Sequence, residues 1–249
     1  MHELVQSQVE PTHAAPGPHA VPLTHTVPVP VEDTFPSVPA LEAHGAVRDE
    51  INKLVQNLFL GPQGPRRVVF TSVELGSGCS WMCARVAEGL APQGRGSVCV
   101  VDCNLRGPGL HQQFANENHH GLSDALIGGG PIREYTRRLS SNLWLLSCGA
   151  SADAGTTLLG SERMRSRLLE LRSTFDFVLI DAAPMNAWND AIVLGGLSDG
   201  VVMVLKANSS RRETSRKAVR ELQSANVRVL GAVLNQRTFP IPDKLYKRL

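Results

Sequence analysis

The chain has 249 residues, 42% hydrophobic and 19% charged, enough for one sizeable α/β core or two small ones. Its 25 basic and 23 acidic residues leave a formal charge of +2, which argues against a protein built mainly to neutralise a polyanion. No apolar run approaches the roughly 18 residues that a membrane span needs. Residues 1–45, with "EPTHAAPGPHAVPLTHTVPVPVEDTFPSVPA", are dense in proline and follow no helical or strand period. They are expected to form a disordered or polyproline-like tail, because they bury too little apolar surface to offset ordering entropy. His13, His19 and His25 lie in this tail without a ligand cluster around them. The opening "MHELVQSQVEPTHAAPG" lacks a basic start and apolar core, so no secretory signal is expected.

Residues 46–249 read as one folded domain. "VRDEINKLVQNLFL" sets Val47, Ile51, Leu54, Val55 and Leu58 at helical spacing, and Gly61 and Pro62 end it. "RRVVFTSV" is a strand, "WMCARVAEGLAPQG" a helix, and "SVCVVDCNL" a strand apolar throughout. "LWLLSCGA" is a short strand, "SERMRSRLLELRSTF" an amphipathic helix and "DFVLIDAAP" a strand. "GVVMVLKAN", "SRRETSRKAVRELQSAN" and "VRVLGAVLNQ" complete the order as strand, basic helix and strand. Apolar strands alternating with helices predict an α/β fold with a mostly parallel sheet covered on both faces. Ligands of such sheets sit at the carboxyl ends of the strands.

Three strand ends carry chemical potential. "TSVELGSGCSW" is a strand-to-helix loop in which Gly76 and Gly78 let backbone N–H groups approach a phosphate at a helix N-terminus. Gly76, Ser77, Gly78, Cys79, Ser80 and Trp81 are the candidate nucleotide contacts, with the Ser80 hydroxyl at the Mg²⁺-binding position. Cys79 occupies the place of the lysine of a phosphate-binding P-loop. Asp102 follows the second strand, and Asp181 ends "FVLID" in the manner of a Walker B aspartate. Ser80, Asp102 and Asp181 are therefore the candidate Mg²⁺ ligands. The 5 cysteines are odd in number and scattered through strands and helices, as in a reducing cytoplasm. Cys79 reads as a tolerated small residue, with an activated thiol at a helix N-terminus as the sharper alternative.

Longer stretches carry a resemblance. "VCVVDCNLRGPGLHQQF", "GLSDALIGG", "FDFVLIDAAP" and "LSDGVVMVLKANSSRRETSRKAVRELQSANVRVLGAVLNQ" are similar, in order, to the bacterial tyrosine kinases of capsule and exopolysaccharide synthesis. That family falls within the MinD/ParA-like P-loop group, and the resemblance covers about residues 46–249. It implies ATP/ADP and Mg²⁺ as cofactors, catalytic roles for Asp102, Asp181 and Arg106, and a place near the base for Asn235. It also implies a phosphoacceptor in the C-terminal tail, where Tyr246 is the one tyrosine left. The implied partner is a membrane polysaccharide co-polymerase, which places the chain in the cytoplasm or at the inner face of the membrane.

The departures fall on the chemistry. Cys79 replaces the lysine, Asn104 replaces the second aspartate of the family's D-x-D, and Lys53 and Gln56 replace the arginines after Glu50 in its ring-forming helix motif. A pseudokinase that regulates by docking is the expectation, as a monomer or weak homo-oligomer with little or no kinase activity. The alternatives are an active autokinase acting on Tyr246 and a MinD/ParA-like ATPase acting on membrane or DNA. The basic helix with Arg211, Arg212, Arg216, Lys217 and Arg220 reads first as a solvated face and second as a surface for an acidic partner. No groove-reading motif accompanies it, so no nucleic acid is expected.

Overall fold

A computed structural model describes residues 45–93, 96–150 and 158–237. The expected tail, residues 1–45, lies outside them save for its last residue. The elements are α1 (Gly45–Phe59), β1 (Arg67–Ser72), α2 (Cys79–Leu90), β2 (Val98–Asp102), α3 (Leu110–Gln113), α4 (Leu122–Ile127), β3 (Arg137–Arg138) and β4 (Leu143–Leu146). There follow α5 (Glu162–Thr174), β5 (Phe177–Asp181), α6 (Asp190–Gly196), β6 (Gly200–Lys206), α7 (Arg212–Ser224) and β7 (Val229–Asn235). The seven strands lie in the order β3-β4-β2-β5-β1-β6-β7, all parallel except β3, which runs antiparallel to β4.

Strands apolar on both faces need cover on both, and two apolar layers supply it. Ile51, Val55 and Phe59 of α1 and the buried face of α2 close over Val68, Phe70, Val100 and Leu179. On the other face, residues of α4, α5, α6 and α7 pack over Val69, Val101, Ile180 and Met203. Gly89 lets α1 lie close on α2: a Cβ there would meet Ile51 Cγ2 at 3.1 Å. Ser161 starts α5 by accepting a hydrogen bond from the Met164 N–H at 3.3 Å, an ordinary serine N-cap.

Two sequence expectations change. Val47, assigned to the buried stripe of α1, is 40% exposed, and Phe59 takes a place in the core one turn past Val55. The stripe therefore begins at Ile51, because the first turn of α1 runs past the layer beneath it. The sequence reading also lacks β3 and α6. The first is two exposed arginines and the second is "DAIVLGG", short and glycine-ended, so neither shows a hydrophobic period.

Leu179 is fully buried in β5, two residues before Asp181, between Val100 of β2 and Val68 of β1. Leu179→Ala should cost about 2–5 kcal/mol of unfolding free energy, read as a lower urea midpoint.

Candidate nucleotide-binding site

Parallel pairing decides what meets at the carboxyl end of the sheet. Asp102 is the register partner of Asp181 across β2 and β5, and Phe70 of β1 is the partner of Asp181 on its other side. The loop leaving β1 thus rises directly beside both acids and ends on α2, whose first residue is Cys79.

The loop is held in one conformation. Gly76 and Gly78 have φ values of 76° and 77°, the left-handed region that only glycine enters without penalty. The Ser72 and Ser77 hydroxyls both donate to the Glu74 carbonyl, at 2.9 and 2.8 Å. From the end of β7, Asn235 Nδ2 donates to the Ser77 carbonyl at 3.0 Å, and Gln236 Nε2 donates to the Gly76 carbonyl at 3.1 Å. A Cβ on Gly78 would stand 2.4 Å from Asn235 Nδ2. Asn235, expected near a base, here buttresses the loop itself. Gln236 and the Glu74 carboxylate, which accepts the Ser210 hydroxyl at 2.8 Å, were not singled out from the sequence; nothing in their spacing marks them.

The two acids have different surroundings. Asp102 is fully buried and accepts three backbone N–H groups, from Asn104 (3.1 Å), Gly109 (3.2 Å) and Leu110 (3.0 Å). Asp181 is fully buried, and neither of its oxygens has a hydrogen-bond partner of good geometry among the described residues. The Ser80 hydroxyl and Cys79 thiol face it closely enough to favour its charge, but burial outweighs them and holds its pKa above the usual carboxylate range. Asp102 is also pushed up, first by burial and then by the Asp181 charge.

Those acids reverse the chemistry that a helix N-terminus would give Cys79. Its thiol is pushed up by burial and then by Asp181, so it stays protonated and is no activated nucleophile. Cys83 and Cys103 are held up likewise, by burial first and by the same two carboxylates next. Arg106, the cation expected here, turns elsewhere. Its Nε pairs with Asp190 Oδ2 at 3.1 Å, and its guanidinium lies 3.9 Å from the centre of the Trp188 ring. With Lys217 and Glu221 these groups line a neighbouring cleft of about 560 Å³. Trp81 is half-buried against the layer under α1 and α2. Tyr246 lies outside the described residues.

A buried carboxylate without partners beside a hydroxyl is a set of hard oxygen donors, and it fits Mg²⁺. Ser80 and Asp181 would hold the ion, with Asp102 behind them. On the helix motif, Glu50 is taken by Lys53 of the same helix at 2.7 Å, on an exposed face.

A parallel sheet with both faces covered, a glycine loop from its first strand onto a helix, and acids on the neighbouring strands define a P-loop NTPase fold of the ParA/MinD type. No protein-family model matches the chain. The chain is 30% identical over 171 residues to the tyrosine-protein kinase YwqD of Bacillus subtilis, covering 68% of this chain and 72% of that protein. It is 30% identical over 201 residues to EpsB of Ralstonia nicotianae, 80% of this chain but only 26% of that protein. Among solved structures, the chimerical protein CapA2B2 superposes with a TM-score of 0.71 at 24% identity, covering 77% of this chain and 85% of that one. ParA-type ATPases share the fold at lower similarity. This chain belongs to the bacterial tyrosine-kinase family.

Both acids bind their protons more tightly in the fold than in the unfolded chain. Their contribution is therefore full below the ordinary carboxylate pKa, about 4, and is lost as pH rises towards neutrality. Asp181→Asn should melt higher than the wild type at pH 8, by about 2–4 °C for each kcal/mol relieved, with the gap narrowing at pH 5 and closing below about pH 4. Thermal melts across that range check it; a gap that does not change with pH would refute the assignment.

Proposed function

We propose that this protein is a pseudokinase of capsule or exopolysaccharide synthesis, which binds nucleotide weakly and works by docking on a membrane co-polymerase. The observation that carries this reading is the residue itself: Cys79 opens α2 beside Asp181, where the family's P-loop places a cation. A lysine–phosphate contact is a charge-assisted hydrogen bond worth about 1.5–3 kcal/mol. Its loss weakens binding about 10- to 100-fold. The glycine loop, the Ser80 hydroxyl and the acids remain, so a cradle for ATP or ADP persists.

Phosphoryl transfer suffers more than binding, since it relies almost wholly on positioned positive charge at the γ-phosphate. Mg²⁺, when bound, would supply part of that charge. Cys79 adds none, and Arg106 is committed to Asp190 and Trp188. The polysaccharide setting and the co-polymerase partner are carried over from the family as part of this proposal. Among the described residues no helix is long and apolar enough to cross a membrane.

Calorimetric titration of Mg–ATP into wild type and Cys79→Lys tests the reading. The substitution should tighten binding about 10- to 100-fold, while the wild type incorporates no phosphate from labelled ATP. Wild-type labelling of Tyr246 that disappears in Asp181→Asn would establish an active kinase instead. Salt-sensitive binding to vesicles or duplex DNA would favour the positioning ATPase.

A further inference from the structure

The arginine-bearing helix α7 takes no part in the nucleotide site, and the strand beside it leaves the sheet open. Among the described residues β7 pairs with β6 alone. Its seven residues, V-L-G-A-V-L-N, contain no charge and no proline, whereas the opposite edge is blunted to the two arginines of β3. Edge strands are ordinarily shortened, charged or covered, because their free N–H and C=O groups recruit further strands. This one is neither short nor charged, and no described residue pairs with its outer side.

The ladder shows which groups are free. The Ala207 N–H donates to the Asn235 carbonyl at 2.9 Å, so Asn235 faces β6. By the two-residue alternation, Ala232 and Leu234 turn their N–H and C=O outward and send both side chains to one face of the sheet. That face is the α7 side, where Ala232 lines a groove of about 440 Å³ with Met203, Leu205 and Val219. Leu234, two residues on, is 56% exposed, a large apolar side chain left in water.

The far wall of the groove is cationic. Arg212, Arg216 and Arg220 line it and are exposed. Spaced by four residues, they form one row along α7, and none has an ion-pair partner among the described residues. Their helical spacing is about 6 Å, close to the roughly 6.6 Å between same-face residues of a strand.

We infer that the β7 edge and this groove form a docking site for an extended peptide in which glutamate alternates with aliphatic residues. The peptide adds as an eighth strand, its main chain bonding to Ala232 and Leu234. Glutamate methylenes cross the apolar floor, and their carboxylates meet the arginine row. The aliphatic residues fall on the opposite face, continuing the layer to which Leu230 and Val233 belong. The charge row selects the sequence, and the strand edge selects the extended conformation. This surface goes beyond the docking reading above, since it specifies a site and a recognition chemistry independent of Cys79.

The test is fluorescence anisotropy with the full chain and a labelled nine-residue peptide of alternating valine and glutamate, (VE)4V. Binding is expected, weakened at least about 10-fold both by Arg216→Glu and by Ala232→Pro, which removes an outward N–H without touching the β6 ladder. Leu234→Glu, a surface change, should weaken it equally and serves should Ala232→Pro fold poorly. Cys79→Lys should leave peptide binding unchanged, so its effect on nucleotide stands or falls separately. No peptide binding to the wild type would overturn the inference. So would binding lowered by Arg216→Glu yet unaffected by Ala232→Pro and Leu234→Glu, which is mere attraction of a polyanion.

Discussion

The site depends on two carboxylates buried side by side at the ends of β2 and β5. A parallel ladder puts Asp102 and Asp181 in register, and the helices over both faces shut water out. In low dielectric such a pair is costly unless a cation or a proton relieves it. Asp102 is partly relieved by three backbone N–H groups; Asp181 is left with none. The raised proton affinity of both, and of the Cys79, Cys83 and Cys103 thiols around them, follows from that one arrangement.

A lysine at position 79 would answer this pair with a fixed charge; a thiol cannot. The chain keeps the parts of a P-loop that depend on shape and loses the part that depends on charge. Shape is defended from an unexpected direction. Asn235 and Gln236, at the far end of the chain order, hold the loop carbonyls of Ser77 and Gly76, and Gly78 is the residue whose lack of a Cβ makes room for them. The loop is thus coupled to β7. Its geometry survives because the last strand of the sheet supports it as much as the helix it opens.

The same sheet order exposes a contrast between its two edges. β3 ends one side in two arginines, while β7 ends the other in seven uncharged residues beside a cationic helix. The strand next to the nucleotide loop is also the strand open to a partner. Contact at that edge and the conformation of the loop therefore share a structural element.

Much of this was legible in the chain. Continuous apolar runs such as "VCVVD" and "FVLID" have one use in a protein this size, as strands covered on both faces, and the positions of Asp102 and Asp181 after them follow directly. So did the glycine loop, the substitution at Cys79 and the basic helix. What tertiary structure alone decided was pairing. Whether Arg106 serves the phosphate site or Asp190 depends on residues 84 positions apart, and a sequence carries no trace of that choice. The short α6 and the two-residue β3 escaped because they are held by neighbours and show no period of their own. The sequence by itself determined the fold class and the chemical inventory, because periodicity and residue type are local. Which acid is left without partners, which asparagine props the loop and which strand is left at the edge are set by the order in which strands lie side by side, a property that local pattern does not contain.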